Sequence, residues 1–83
     1  MISAYVLTSV KSHGNINKTM EQIKNIKHLQ SVSVVSGHHD LMIYVNVPSL
    51  DDLYNVTTEI QCHPMVTRTS THVIEREIYE SLT

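Results

Sequence analysis

Residues 32–47 read Val-Ser-Val-Val-Ser-Gly-His-His-Asp-Leu-Met-Ile-Tyr-Val-Asn-Val, two β-type runs joined by Gly37-His38-His39-Asp40. Glycine reaches the positive-φ conformations that close a short loop without a Cβ clash, and aspartate accepts hydrogen bonds from nearby backbone N–H groups. The tetrapeptide therefore predicts a tight turn at 37–40, between strands over Val32–Ser36 and Leu41–Val47. The second run is apolar on both faces apart from Asn46, whereas a strand with one solvated face alternates apolar with polar residues. Both faces of that strand need cover. Helices on one side supply half of it, and a second copy of the chain is expected on the other.

Upstream, Ile2–Val10 contains no Gly or Pro and predicts a first strand, ended by the loop signal Ser12-His13-Gly14. Asn15 offers a helix N-cap. Ile16, Met20, Ile23 and Ile26 then follow at steps of four, three and three, which is an amphipathic helical stripe, with Lys18, Lys24 and Lys27 on the wet side. Downstream, Pro48 lacks a backbone donor and stops the strand, and Ser49 with Asp52 has capping-box spacing. Leu50, Leu53, Thr57 and Ile60 predict the buried face of a second helix. The β-branched run Val56-Thr57-Thr58 disfavours that helix locally, so packing must hold it. His63-Pro64 breaks it. Val66–Ile74 predicts a last strand, followed by a charged tail through Glu80.

The two halves echo each other at an offset of 34: Asn15 with Ser49, Ile16 with Leu50, Met20 with Tyr54, Ile26 with Ile60, and Val32 with Val66. Two β-α-β units related by a pseudo-twofold give β-α-β-β-α-β. This is the ferredoxin-like α+β fold, a four-stranded antiparallel sheet with two helices on one face. Tyr5, Leu7, Met42 and Tyr44 alternate against Val6, Ile43 and Val45, so both faces of the central strands carry apolar side chains. Sheet-to-sheet dimerisation is the expected consequence.

Composition narrows the function. A single domain of 83 residues buries only roughly 60–65% of its unfolded surface, so its own core is thin. The chain has no Trp or Phe, and its six Lys and Arg against eight Asp and Glu give a net charge of −2. Its basic residues are scattered, which argues against direct nucleic-acid binding. No apolar stretch is long enough to span a bilayer, and the N-terminal residues lack signal-peptide character. The lone Cys62 cannot form an intramolecular disulfide, which fits a reducing, cytoplasmic setting.

Four segments in order carry a family resemblance: Ala4-Tyr5-Val6-Leu7, Leu29-Gln30-Ser31-Val32, Val35-Ser36-Gly37-His38-His39-Asp40-Leu41, and Met65-Val66-Thr67-Arg68-Thr69-Ser70-Thr71. Over roughly residues 3–78 the chain resembles the RAM domain, the effector-binding half of Lrp/AsnC transcription regulators. Members usually carry a helix-turn-helix domain before this region. Here the chain starts at the first strand, so a stand-alone effector domain over 1–83 is expected. The resemblance implies dimers in the form of an α+β barrel, assembled further into octamers or decamers. It also implies an amino acid effector bound between dimers near Gly37, His38, His39, Asp40, Thr69 and Thr71, with full-length relatives as further partners.

A zwitterionic ligand needs donors for its carboxylate and acceptors for its ammonium. A turn presenting amides beside a carboxylate, with the Thr69 and Thr71 hydroxyls, supplies both. Alternatively Asp40 only ties its own turn. Six His, among them His38, His39, His63 and His72, raise the question of a metal site with Asp40 and Cys62, but no ligand spacing such as C-x-x-C or H-x-H is present. No metal and no cofactor is expected. A cofactor-free dimeric α+β barrel enzyme would place polar groups inside its cavity, where the inferred stripes are aliphatic. Cys62 with His63 lacks the convergence of a nucleophile and base, and Ser36 and Ser70 have no assignable base. No enzymatic activity is expected. An oligomeric scaffold without a ligand is the remaining alternative.

Overall fold

The computed structural model describes residues 1–11 and 13–76. Along the chain come β1 (Ile2–Val10), a 3-10 turn (His13–Asn15), α1 (Ile16–Ile23), β2 (Leu29–Val34), β3 (Leu41–Val47), α2 (Leu50–Gln61) and β4 (Val66–Val73). The strands form one antiparallel sheet in the order β2-β3-β1-β4, which with the two helices is the expected ferredoxin-like fold.

Period-two alternation sets which residues meet the helices. Ala4, Val6 and Val10 of β1 and Leu41, Ile43, Val45 and Val47 of β3 point to one face, where the register sets Val6 opposite Ile43 and Ala4 opposite Val45. Ile23 of α1 and Leu53, Val56 and Ile60 of α2 close over them. Each fully buried aliphatic side chain contributes about 2 kcal/mol, so this layer is the main source of stability within one copy.

The two helices begin differently. Ser49 is extended, its Oγ accepts from Asp52 N at 3.3 Å and donates to Asp52 Oδ2 at 2.8 Å, and Asp51 and Asp52 occupy the first turn. Those carboxylates complement the positive end of the helix dipole. Asn15 makes no side-chain cap, contrary to expectation. It belongs to the 3-10 turn, and its φ of −110° and ψ of 13° depart from the extended backbone that capping requires.

The helical stripes also shift. Val56, rather than Thr57, completes the buried face of α2, because steps of three and four from Leu53 lead through Val56 to Ile60; Leu50 is left 65% exposed. In α1 the buried Thr19 joins Ile23, while Ile26 lies past the helix end. His28 then takes φ 75° and its carbonyl accepts from Asn46 N, turning the chain into β2. That strand starts three residues earlier than Val32, since a bulge at Leu29–Ser31 hides the alternation. It ends at Val34 rather than Ser36, and β4 ends at Val73 rather than Ile74. Beyond Arg76 the charged tail lies outside the described residues.

Among the described residues, no helix covers the opposite face of the sheet. Tyr5, Leu7, Met42 and Tyr44 form a half-buried apolar stripe at its centre, with Tyr5 and Tyr44 stacked at 5.2 Å between ring centroids. Ser31 and Ser33 on β2, Ser3 and Ser9 on β1, Asn46 on β3, and Arg68, Ser70 and His72 on β4 rim the stripe. Asn46 donates through Nδ2 to Ser3 Oγ at 3.0 Å. Its Oδ1 is buried with no hydrogen-bond partner among the described residues.

Candidate functional site

The predicted turn is built at one end of the sheet. Gly37 takes φ 134°, a backbone that L side chains rarely adopt, which explains glycine there. Asp40 fastens the turn on three sides. Its N–H donates to Thr8 O, its carbonyl accepts from Val35 N, and its Oδ2 accepts from Val10 N, each at 2.9 Å. Pairing between β1 and β3 ends at Thr8 and Leu41, and pairing with β4 slips between Ser9 and Val10. The Asp40 carboxylate thus supplies the acceptor that a longer β3 would have given Val10. The carboxylate ties the turn to β1, two strands away from β2, rather than only to itself.

His38 is exposed, whereas His39 is half-buried with Nδ1 3.3 Å from Ser9 Oγ. Ser9 lies on the uncovered face with Tyr5 and Leu7, and directly opposite it on β4 stands Arg68. Ser9 thus has His39 at its hydroxyl and Arg68 at the paired position on the neighbouring strand, a polar corner of the open face. Neither Ser9 nor Arg68 was singled out as a site residue from sequence. Their shared side of the sheet follows from strand parity, but the closeness of Ser9 to His39 depends on the loop path.

Thr69 and Thr71 lie elsewhere. They sit opposite Thr8 and Val6, on the helix-bearing face, and Thr69 Oγ1 accepts from Gln61 Nε2 of α2 at 2.8 Å. Within one copy the sequence-derived set is thus split: His39 contacts the uncovered face, and the two threonines occupy the other face of an edge strand. Two surface hollows, of about 270 and 200 Å³, lie between α1 and β2 and between α1 and the α2–β4 loop, and neither is lined by any of these six residues.

The other chemistry-bearing side chains are engaged locally. His63 Nε2 meets Gln22 Oε1 at 2.6 Å and its Nδ1 accepts from Met65 N at 3.1 Å, so its ring is turned to α1 and its own loop; Cys62 is exposed. Ser70, expected to have no basic neighbour, has His72 Nε2 at 3.0 Å from its Oγ. Residues two apart on a strand share a face, and both side chains are on the open rim. Among the described residues no three of His, Cys, Asp and Glu gather as metal ligands, and no helix is long and apolar enough to cross a membrane.

Comparison with known proteins places this geometry. TTHA0845 from Thermus thermophilus is 27% identical and superposes with a TM-score of 0.86 over 96% of this chain and 100% of its own. AsnC of E. coli is 18% identical, with a TM-score of 0.86 over 98% of this chain. The feast or famine regulatory protein of M. tuberculosis, complexed with L-methionine, is 20% identical, with a TM-score of 0.82 over 100% of this chain. The chain spans 56% of each of the latter two, which at that identity attest the fold. No curated protein matches. The Lrp/AsnC ligand binding domain family matches residues 3–83, nearly the whole sequence. The chain belongs to the Lrp/AsnC ligand-binding-domain family of regulatory domains.

Proposed function

We propose that this regulatory ligand-binding domain senses a small amino acid in a crevice shared between copies, to which Gly37, His38, His39 and Asp40 contribute from one copy and Thr69 and Thr71 from another. One observation carries the reading. His39 contacts the open face while Thr69 and Thr71 lie on the helix-bearing face of the same copy, which favours a ligand surrounded by residues from different copies. The open apolar stripe and the buried Asn46 Oδ1, without a partner among the described residues, support assembly, because an apolar patch and an unsatisfied acceptor both gain from a partner surface. The L-methionine held by the M. tuberculosis relative supports an amino acid as the effector.

The geometry supports a role for each residue. Asp40 is a positioning residue that holds the turn against β1 through Val10 N. Backbone amides of the turn supply donors for the ligand carboxylate. Thr69 accepts from Gln61 and so keeps its own O–H to donate. The basic residues are scattered along the sequence rather than clustered for an operator, and regulation would pass through partners, full-length relatives among them.

A thermal-shift screen against the twenty amino acids tests the reading. A ligand at a hundred times its Kd stabilises the folded state by about 2.7 kcal/mol, a shift easily measured in a domain of this size. Asp40→Ala should abolish the shift and cost about 2 kcal/mol of stability, while Asp40→Asn, which keeps an acceptor for Val10 N, should retain most of both. Absence of a shift with every amino acid would overturn the sensing role.

A further inference from the structure

We propose that the corner formed by His39, Ser9 and Arg68 binds the second carboxylate of a dicarboxylic ligand, an anionic amino acid above all, and binds it more tightly when His39 is protonated. The inference rests on the amino-acid reading above and names the ligand class.

The corner gathers three donor-bearing residues at one end of the open face. Ser9 is pinned where β1 meets β4, since its carbonyl accepts from Thr67 Oγ1 at 3.1 Å and its Cα partner across the ladder is Arg68. Directly opposed residues hold their Cβ atoms about 5 Å apart, within reach of a guanidinium fork beside the Ser9 hydroxyl. On the other side His39 Nδ1 lies 3.3 Å from Ser9 Oγ. Protonation makes that nitrogen a donor to Ser9 Oγ, which leaves the Ser9 O–H to donate outward. A carboxylate at the corner then receives the Ser9 proton and the Arg68 fork, close to an imidazolium.

Most of the other charged or titratable groups described at this end of the sheet are basic. His38 on the turn, the exposed Lys11 at the end of β1 and Arg68 on β4 are cationic or can become so. Asp40 is the acid of the turn; its Oδ2 accepts from Val10 N, and its negative charge offsets part of this field. A neutral side chain gains little from such a corner. A carboxylate gains charge-assisted hydrogen bonds, which are roughly twice as strong as neutral ones.

Calorimetry on the full chain distinguishes the possibilities, with aspartate, glutamate, asparagine, glutamine, leucine, succinate and 2-oxoglutarate as probes at about pH 6 and about pH 8. An acidic amino acid should bind about tenfold more tightly than its amide, with the gap several-fold wider at the lower pH. Arg68→Gln, at an exposed position, should erase the gap without weakening neutral amino acids, and His39→Gln should remove its pH dependence. Circular dichroism confirms that each variant is folded. An amide that binds as well as the acid, or a gap that survives Arg68→Gln, would overturn the proposal. Leucine binding alone would refute the corner and leave the amino-acid reading standing. Succinate and 2-oxoglutarate binding, with every amino acid failing, would support the corner and overturn that reading.

Discussion

On the helix-bearing side of the sheet Val6, Ile43 and Val45 have no solvent exposure at all, while one position along the same strands Tyr5, Leu7, Met42 and Tyr44 remain half-buried on the other side. The strands are identical, and so is their alternation; the difference is what covers them. Two helices complete the first face. The second has an apolar centre ringed by serines, Asn46, Arg68 and His72, the anatomy of an interface core with a polar rim rather than of a solvated sheet. The buried core of a copy is thus located on one face, and the surface on which the proposed association depends is on the other.

Substitutions on matched positions should separate the two. Ile43→Ala removes a fully buried side chain between sheet and helices and should cost about 3–4 kcal/mol in chemical denaturation; a loss below about 1 kcal/mol would mean that the helix-side layer is not the core it is taken for. Tyr44→Asp, one residue along and on the opposite face, should leave the circular dichroism unchanged yet weaken self-association about a hundredfold, or ~2.7 kcal/mol, as followed by light scattering. Unaltered association in that variant would break the assignment of this face to assembly. The smallest effect tests the two helix starts on the covered side. Ser49→Ala should lower stability by about 1 kcal/mol, and Asn15→Ala by only a few tenths, because only Ser49 caps its helix. Equal losses would contradict the difference seen between the caps.

The fold was legible because its signals are local and repeated. The turn Gly37–Asp40, the stop at Pro48 and His63-Pro64, and the alternation of β1 and β3 all depend on near neighbours, and the offset of 34 joined them into one topology. Where the reading slipped, the determinant was not local. The start of β2 is masked by a bulge, the Asn15 cap is pre-empted by a 3-10 turn, and Val56 displaces Thr57 because the sheet selects which side of α2 is buried. The site was legible only in part. The motif pointed to Asp40, but its bond to Val10 comes from the slip in pairing at Ser9 and Val10, and the nearness of Ser9 to His39 comes from the path of the loop. Spacing along the chain encodes neither.

The stacked Tyr5–Tyr44 pair has a practical consequence. Without tryptophan or phenylalanine, the ultraviolet fluorescence of this protein comes from four tyrosines, and two of them are in contact at the centre of the open face. Any molecule that settles on that face changes the polarity around half of the chain's fluorophores, so the unlabelled protein carries its own optical reporter of association.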